Sequence, residues 1–418
     1  MAFVGLSFLF SALMAIVTEE ISKVYSPSNR SAVLHLWPEG ELNVSFARLI
    51  SQRGRIYTAS EMDQHFGHFK EQLELRSKSM SLEELIDIFD ETRPVLLRSL
   101  VDEINGKQNT WTASMEQKRL KGATVQDVKR LCGTLMDAKE ALEEKVFLNE
   151  ELQDLPGSFD TREAFPACKD IIGHVRDQSD CGSCWAFAPT EAFNDRLCIR
   201  TGGAFQQLLS PGHMIACCRW PEYESHGCVS GDDLSGWLWL NVQGVVSGGD
   251  YVAKDKMEES DGCWPYNFPK CAHHMVSPKY ATCSKVKYNT PECMHSCPNQ
   301  KYRQPFSKDR HYTSSYPKRL QDVDNIKKEI MDNGPVSAAM KVYEDFTTYK
   351  SGVYKHVTGA LLGGHSMKII GWGNENGEEY WLVVNSWNEE WGDNGLIKVG
   401  LHQCGIESAV LSGNPDEK

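Results

Sequence analysis

The chain has 418 residues, 41% hydrophobic and 10% aromatic, enough for two or three packed parts and too apolar for a disordered polymer. Its 44 basic and 57 acidic residues leave a net charge of −13 at pH 7, and no basic run offers a nucleic-acid backbone a partner surface. Many of the 13 histidines charge near pH 5 and remove part of that deficit, which suits an acidic compartment.

In chain order, "MAFVGLSFLFSALMAIVTEE" holds an apolar core from Ala2 to Val17, too short for a comfortable bilayer span, and reads as a signal peptide over residues 1–18. No later stretch is apolar for long enough to cross a membrane, so the expected product is luminal or secreted, in a lysosome-like compartment or outside the cell. Residues 19–95 form an N-terminal extension of mixed charge with no catalytic pattern and two glycosylation sequons, at Asn29 and Asn43. Ser81 and Glu84 stand in capping-box register and open a helix that Pro94 ends. Helical character returns over 115–147. "LNEELQDLPGSFD" then reads as an exposed acidic junction of the kind proteases cut.

From residue 157 the texture changes to glycine, tryptophan, cysteine and short apolar runs. "SMKIIGWGNENGEEYWLVVNSW" predicts two strands joined across Asn374–Gly377. Its G-x-G has the wrong spacing for a dinucleotide loop and precedes a strand where a helix is needed, so no cofactor is expected. Of the 14 cysteines, eight fall between 217 and 297, a density that reads as a disulfide framework first and a metal site second. Within it, "CAHHMVSPKYATC" places His273 and His274 between Cys271 and Cys283. Two adjacent histidines without a second ligand pair at metal spacing make a poor zinc site.

The chemistry lies at three separated positions. Cys181-Gly-Ser-Cys184 alone is compatible with a redox pair, half a zinc site, or a disulfide cysteine beside a nucleophile. "CWAFAPTEAFNDRLCI" predicts a helix starting at Cys184, where the helix dipole favours a thiolate. His365 in "GGHS" can serve as proton acceptor, Asn385 in "VVNSW" can orient the imidazole, and Gln178 can donate to an oxyanion together with the Cys184 N–H.

The Q-x-x-C-G-S-C-W stretch with His and Asn downstream resembles the papain family of cysteine proteases, specifically its cathepsin B group, over roughly residues 101–413. The resemblance implies an α+β, papain-like two-domain fold, with a helical left domain and a β-barrel-like right domain behind an N-terminal prosegment. It implies an inhibitory propeptide over 96–154, touching the cleft through Trp111 and Cys132, and a peptidase domain over 155–418. Cys184 is then the nucleophile, His365 the acid and base, Asn385 the orienting residue, Gln178 the oxyanion donor and Trp387 a lid over the His–Asn contact. His273 and His274 become the carboxylate-reading residues of an occluding loop, latched by His273 to Asp177 and by Lys279 to Glu390. The implied disulfides are 168–198, 181–228, 217–293, 263–297 and 271–283, with no metal. Implied partners are peptide and protein substrates, the chain's own propeptide and cystatin-type inhibitors.

Three departures qualify the match. "CVSG" sets Val229 and Ser230 where the family has Asn and Gly, while Gly231 is kept to pair with the substrate strand. Pro189 falls inside the predicted active-site helix, where an interior proline costs about 3 kcal/mol; the helix is expected to accommodate it close to its first turn, at some risk to activity. Ala409 replaces the acid of the second subsite, so with Ala339 and Ser366 as walls that pocket is expected to prefer apolar side chains, unless Asp232 or Asp233 stands at its rim. The competing expectation is a protease-like binding protein impaired by these changes.

Overall fold

The computed structural model describes residues 91–416 except 137–145, 149–151, 153, 254–255, 258–259, 261, 273–280 and 283–287. The signal peptide, both sequons, the helix from Ser81, and His273, His274, Lys279 and Cys283 lie outside the described residues.

The unit that begins at Glu91 opens with α1 (Arg98–Lys107), whose Leu100, Val101 and Ile104 form one buried face. A short strand β1 (Trp111–Ala113) and α2 (Val125–Leu131) follow. Thr124 and Asp127 close a reciprocal capping box that starts α2.

The helical half is built on α3 (Cys184–Arg200), α4 (Pro211–Cys217) and α5 (Asp233–Val242). Trp185, Phe193, Met214, Trp237 and Trp239 are its buried centre. Pro189 lies inside α3, and the helix runs through it unbroken to Arg200. The prolyl ring faces Gly236 of α5, where the missing side chain leaves it room.

The other half is one sheet of nine strands. In chain order they are β1, β2 (Phe159–Asp160), β3 (Lys318–Leu320), β4 (Val336–Tyr343), β5 (Tyr349–Tyr354), β6 (Leu361–Glu375), β7 (Glu378–Val384), β8 (Leu396–Gly400) and β9 (Val410–Ser412). Across the sheet the order is β1-β5-β8-β7-β6-β4-β9-β3, with β2 added against β6. The β8–β5 pair is parallel. The turn between β6 and β7 holds Asn376 and Gly377 at positive φ, as a tight hairpin requires. The sheet is open, so the barrel-like description fits loosely: its edge strand β1 comes from the N-terminal segment and pairs with β5 alone. Helix α6 (Val323–Asn333) buries Ile326 and Ile330 in the same core.

Among the described residues four disulfides join Cys168–Cys198, Cys181–Cys228, Cys217–Cys293 and Cys263–Cys297. Cys132, Cys184, Cys218 and Cys404 take no part in these disulfides. Cys218 is buried with its Sγ donating to the Ser235 carbonyl at 3.6 Å.

The two halves are tied by buried charge. Lys368 of β6 forms an ion pair with Asp195 of α3 at 2.7 Å and donates to the Ile172 carbonyl at 3.0 Å, with Glu191 at 3.8 Å. Two carboxylates share that lysine, and burial lifts Glu191 to about 7 and Asp195 to about 6. A carboxylate raised in the folded state holds its proton where the unfolded chain has lost it, so its contribution to stability falls as pH rises from about 4.5 to 7. Thermal melts of Glu191→Gln against the parent should show a flatter pH dependence over that window; unchanged slopes would refute the coupling.

Candidate active site

Cys184 is the first residue of α3, and its thiol is fully buried. Burial pushes a thiol's pKa up; the charge and hydrogen bond of His365, the Thr134 hydroxyl and the Ser366 backbone outweigh it and bring Cys184 down to about 7. His365 is buried on β6, and its Nε2 meets Asn385 Oδ1 at 2.8 Å. Asn385 follows the last residue of β7, the neighbour of β6, so sheet pairing brings the two together. The Trp387 ring lies 4.9 Å from the imidazole and closes that contact from solvent.

Gln178 is aimed by the same loop. Ser386 Oγ donates to Gln178 Oε1 at 2.8 Å, and the Gln178 N–H donates to the Ser386 carbonyl at 2.9 Å. The amide nitrogen is thereby turned inward, donating to the carbonyls of Cys181 at 2.8 Å and Leu131 at 2.9 Å.

Leu131 belongs to the N-terminal segment, and the residues after it occupy the cleft. The Gly231 N–H donates to the Gly133 carbonyl at 2.9 Å, the Leu135 N–H to the Gly231 carbonyl at 2.8 Å, and the Thr134 N–H to the Gly364 carbonyl at 3.1 Å. Thr134 pairs with Gly231 in parallel, and its Oγ1 lies 3.1 Å from Cys184 Sγ. A hydroxyl therefore stands at the nucleophile. Close approach makes Gly133 obligatory here, since a Cβ on it would stand 1.9 Å from the Gly182 carbonyl oxygen.

Upstream, the segment is bolted to the other end of the cleft. Arg119 donates to the Ser179 carbonyl at 2.7 Å and pairs with Asp177 at 3.3 Å, both side chains fully buried. Asp177 also accepts from Asn388 Nδ2 at 2.9 Å. Trp111 is buried on β1, its Nε1 donating to the Lys355 carbonyl at 3.0 Å, which puts it on the sheet beside β5. Cys132 is buried next to Gly133.

Of the other sequence-selected residues, Ala339 and Ser366 are cross-strand partners on β4 and β6, both buried. Ser230 is buried beside Gly231, and neither it nor Val229 takes a positive φ, so the "CVSG" turn accepts side chains without strain. The Ala409 side chain is outside the described residues. Asp232 and Asp233 do not stand at a rim. Asp232 caps α5, accepting from the Leu234 and Ser235 N–H groups, and Asp233 is buried 3.4 Å from Ser337 Oγ. Sequence reading missed Thr134, Ser386 and Asn388; only the position of Ser386 directly after Asn385 hinted at a role.

Residues 155–414 match the model of the papain family cysteine proteases. The chain is 39% identical over 325 residues to cathepsin B-like cysteine proteinase 5 of Caenorhabditis elegans, spanning 76% of this chain and 90% of that one. It is 44% identical to a cathepsin B-like cysteine proteinase of Schistosoma japonicum over 62% of this chain and 73% of that one. Among solved structures, procathepsin B S9 from Trypanosoma congolense superposes with a TM-score of 0.63 at 32% identity, covering 78% of this chain and all (100%) of that one. The chain belongs to the papain family of cysteine proteases, in its cathepsin B-like group, as the motif led one to expect.

Gly133→Val should expel the segment from the cleft. In the full-length chain, alkylation of Cys184 by iodoacetamide is expected to accelerate about tenfold or more, the factor for 1.4 kcal/mol of lost docking. An unchanged rate would show that the Gly133–Gly182 contact does not hold the segment in place.

Proposed function

We propose that the processed protein is an acid-compartment endopeptidase and carboxy-terminal dipeptidase, made as a zymogen. The observation that carries this is the convergence of a pKa-lowered Cys184, an Asn385-held His365 and an inward-turned Gln178 amide on one buried point.

In this reading His365 takes the Cys184 proton and the thiolate attacks the scissile carbonyl carbon. Gln178 Nε2 and the Cys184 N–H stabilise the oxyanion, and His365 returns the proton to the leaving amine. A water activated by His365 then hydrolyses the thioester. Asn385 keeps the ring oriented through the cycle. Segment 96–154 is the prosegment: its Leu131 carbonyl occupies the oxyanion donor and the Thr134 hydroxyl faces the thiol. Maturation at 154–157 clears the site.

His273 and His274 bind a substrate's terminal carboxylate by charge-assisted hydrogen bonds, favouring cuts two residues from a chain end. The second subsite, walled by Ala339, Ser366 and Ala409, takes apolar side chains; burial of Asp232 and Asp233 supports that preference. Cystatin-type inhibitors would enter the same cleft. The route is secretory, ending in a lysosome-like compartment or outside the cell; among the described residues no helix is long and apolar enough to cross a membrane. The unbroken α3 speaks against an impaired binder.

At about pH 5, where imidazoles are largely charged, the processed protein should release dipeptides stepwise from an N-blocked peptide with a free C-terminus and not from its amide. Cys184→Ala should abolish release. Equal cutting of acid and amide would remove the carboxylate clamp, and no cutting of either would remove the peptidase.

A further inference from the structure

The stretch "CCRWPEYESHGC", residues 217–228, is not used by the chemistry above, yet it carries the least expected surface group of the described chain. Trp220 is 61% exposed, although an indole is among the side chains that most favour burial. Its ring lies beside that of His226, with centroids 6.4 Å apart and planes inclined by 29°, so the pair presents an aromatic shelf rather than one stray ring.

The backbone joins this shelf to the cleft. Gly231 holds the chain lying in the cleft through both its N–H and its carbonyl. On its other edge, the His226 N–H donates to the Ser230 carbonyl at 2.8 Å and the Asp232 N–H to the Glu224 carbonyl at 3.1 Å, an antiparallel bridge centred on Ser225 and Gly231. The Trp220 N–H donates to the Ser225 carbonyl at 3.0 Å. The turn that carries Trp220 is thus the outer edge of a ribbon, tied by that one hydrogen bond to the stretch that pairs with the Gly231 rail. Below, Tyr223 packs on the helical core and Cys218 bonds to Ser235 of α5, so the ribbon has a fixed base. No described residue of the N-terminal segment covers the indole: that segment crosses Gly231 with Gly133–Leu135 and leaves Trp220 open.

An extended peptide on the Gly231 rail turns alternate side chains toward the cleft floor and away from it. If the residue paired with Gly231 points to the floor, the next one away from the scissile bond points to the rim on which the shelf opens. We propose that Trp220, stacked on His226, is a specificity-determining residue that takes an aromatic or large apolar side chain of the substrate at the position one beyond the residue paired with Gly231. This rests on the peptidase reading and adds a preference that reading does not contain. The occupant is chosen by continuity with the rail and by chemistry, because an exposed, uncharged ring face gains by covering apolar area and selects no charge.

The test is Trp220→Ala and Trp220→Phe in the processed enzyme, with N-blocked peptides that differ only at that position, Phe against Gly. Trp220 is exposed, so folding is not at stake. The alanine variant should lose about five- to tenfold in kcat/KM on the Phe peptide, mostly through KM, as expected for about 1 kcal/mol of ring contact. It should change the Gly peptide less than twofold, and the phenylalanine variant should recover most of the loss. Equal losses on both peptides, or none on the Phe peptide, would overturn the shelf. Binding of the same two peptides to a Cys184→Ala chain processed in trans gives a readout independent of turnover. A Phe-over-Gly preference there that vanishes with Trp220→Ala supports the shelf even if no peptide is cut, and its absence refutes the shelf even if both are.

Discussion

The thiol of Cys184 is fully buried, and burial alone would leave it protonated and inert. Much of the surrounding architecture answers that constraint. The thiol needs a helix N-terminus behind it and an imidazole beside it, and these come from opposite halves of the molecule, α3 and β6. Between the halves Lys368 reaches Asp195 across the interface. The same two elements therefore set both the reactivity of the site and the cohesion of the fold.

A second constraint is that a backbone must come within hydrogen-bond reach of the nucleophile. The cleft meets it with Gly231 and Gly364 as rails, and the occupying segment matches them with Gly133. The Trp185 ring lies so close beneath Gly231 that a Cβ there would stand 2.4 Å from it, which is why this position of "CVSG" needs a glycine. The Arg119–Asp177 pair then secures the far end of the segment, with both charges out of water. Removing one partner of such a pair leaves the other buried and uncompensated, typically about 3–5 kcal/mol.

Some features were legible because they are local. A thiol at a helix start and a hairpin across Asn374–Gly377 each declare themselves within a few residues. Others were misread for the opposite reason. Asp232 and Asp233 look like rim carboxylates in a linear sequence, but Asp232 was needed as the N-cap of α5, and a cap turns its carboxylate toward its own helix. Pro189 was expected to be accommodated near the first turn of α3, and the helix does run through it to Arg200. The edge strand β1 of the barrel-like half is lent by the N-terminal segment, which no strand count within 155–418 reveals.

What the sequence determined unaided was the chemistry: cysteine, histidine, asparagine and glutamine in an order specific enough to name a family. Their residue types set which reactions are open to them, and that information is carried by identity alone. What only the tertiary structure decided was contact: that Ser386 turns the Gln178 amide inward, that Thr134 rather than Cys132 meets the thiol, and that Trp220 stands exposed beside the Gly231 rail. These are relations between residues far apart in the chain, fixed by strand pairing and helix packing.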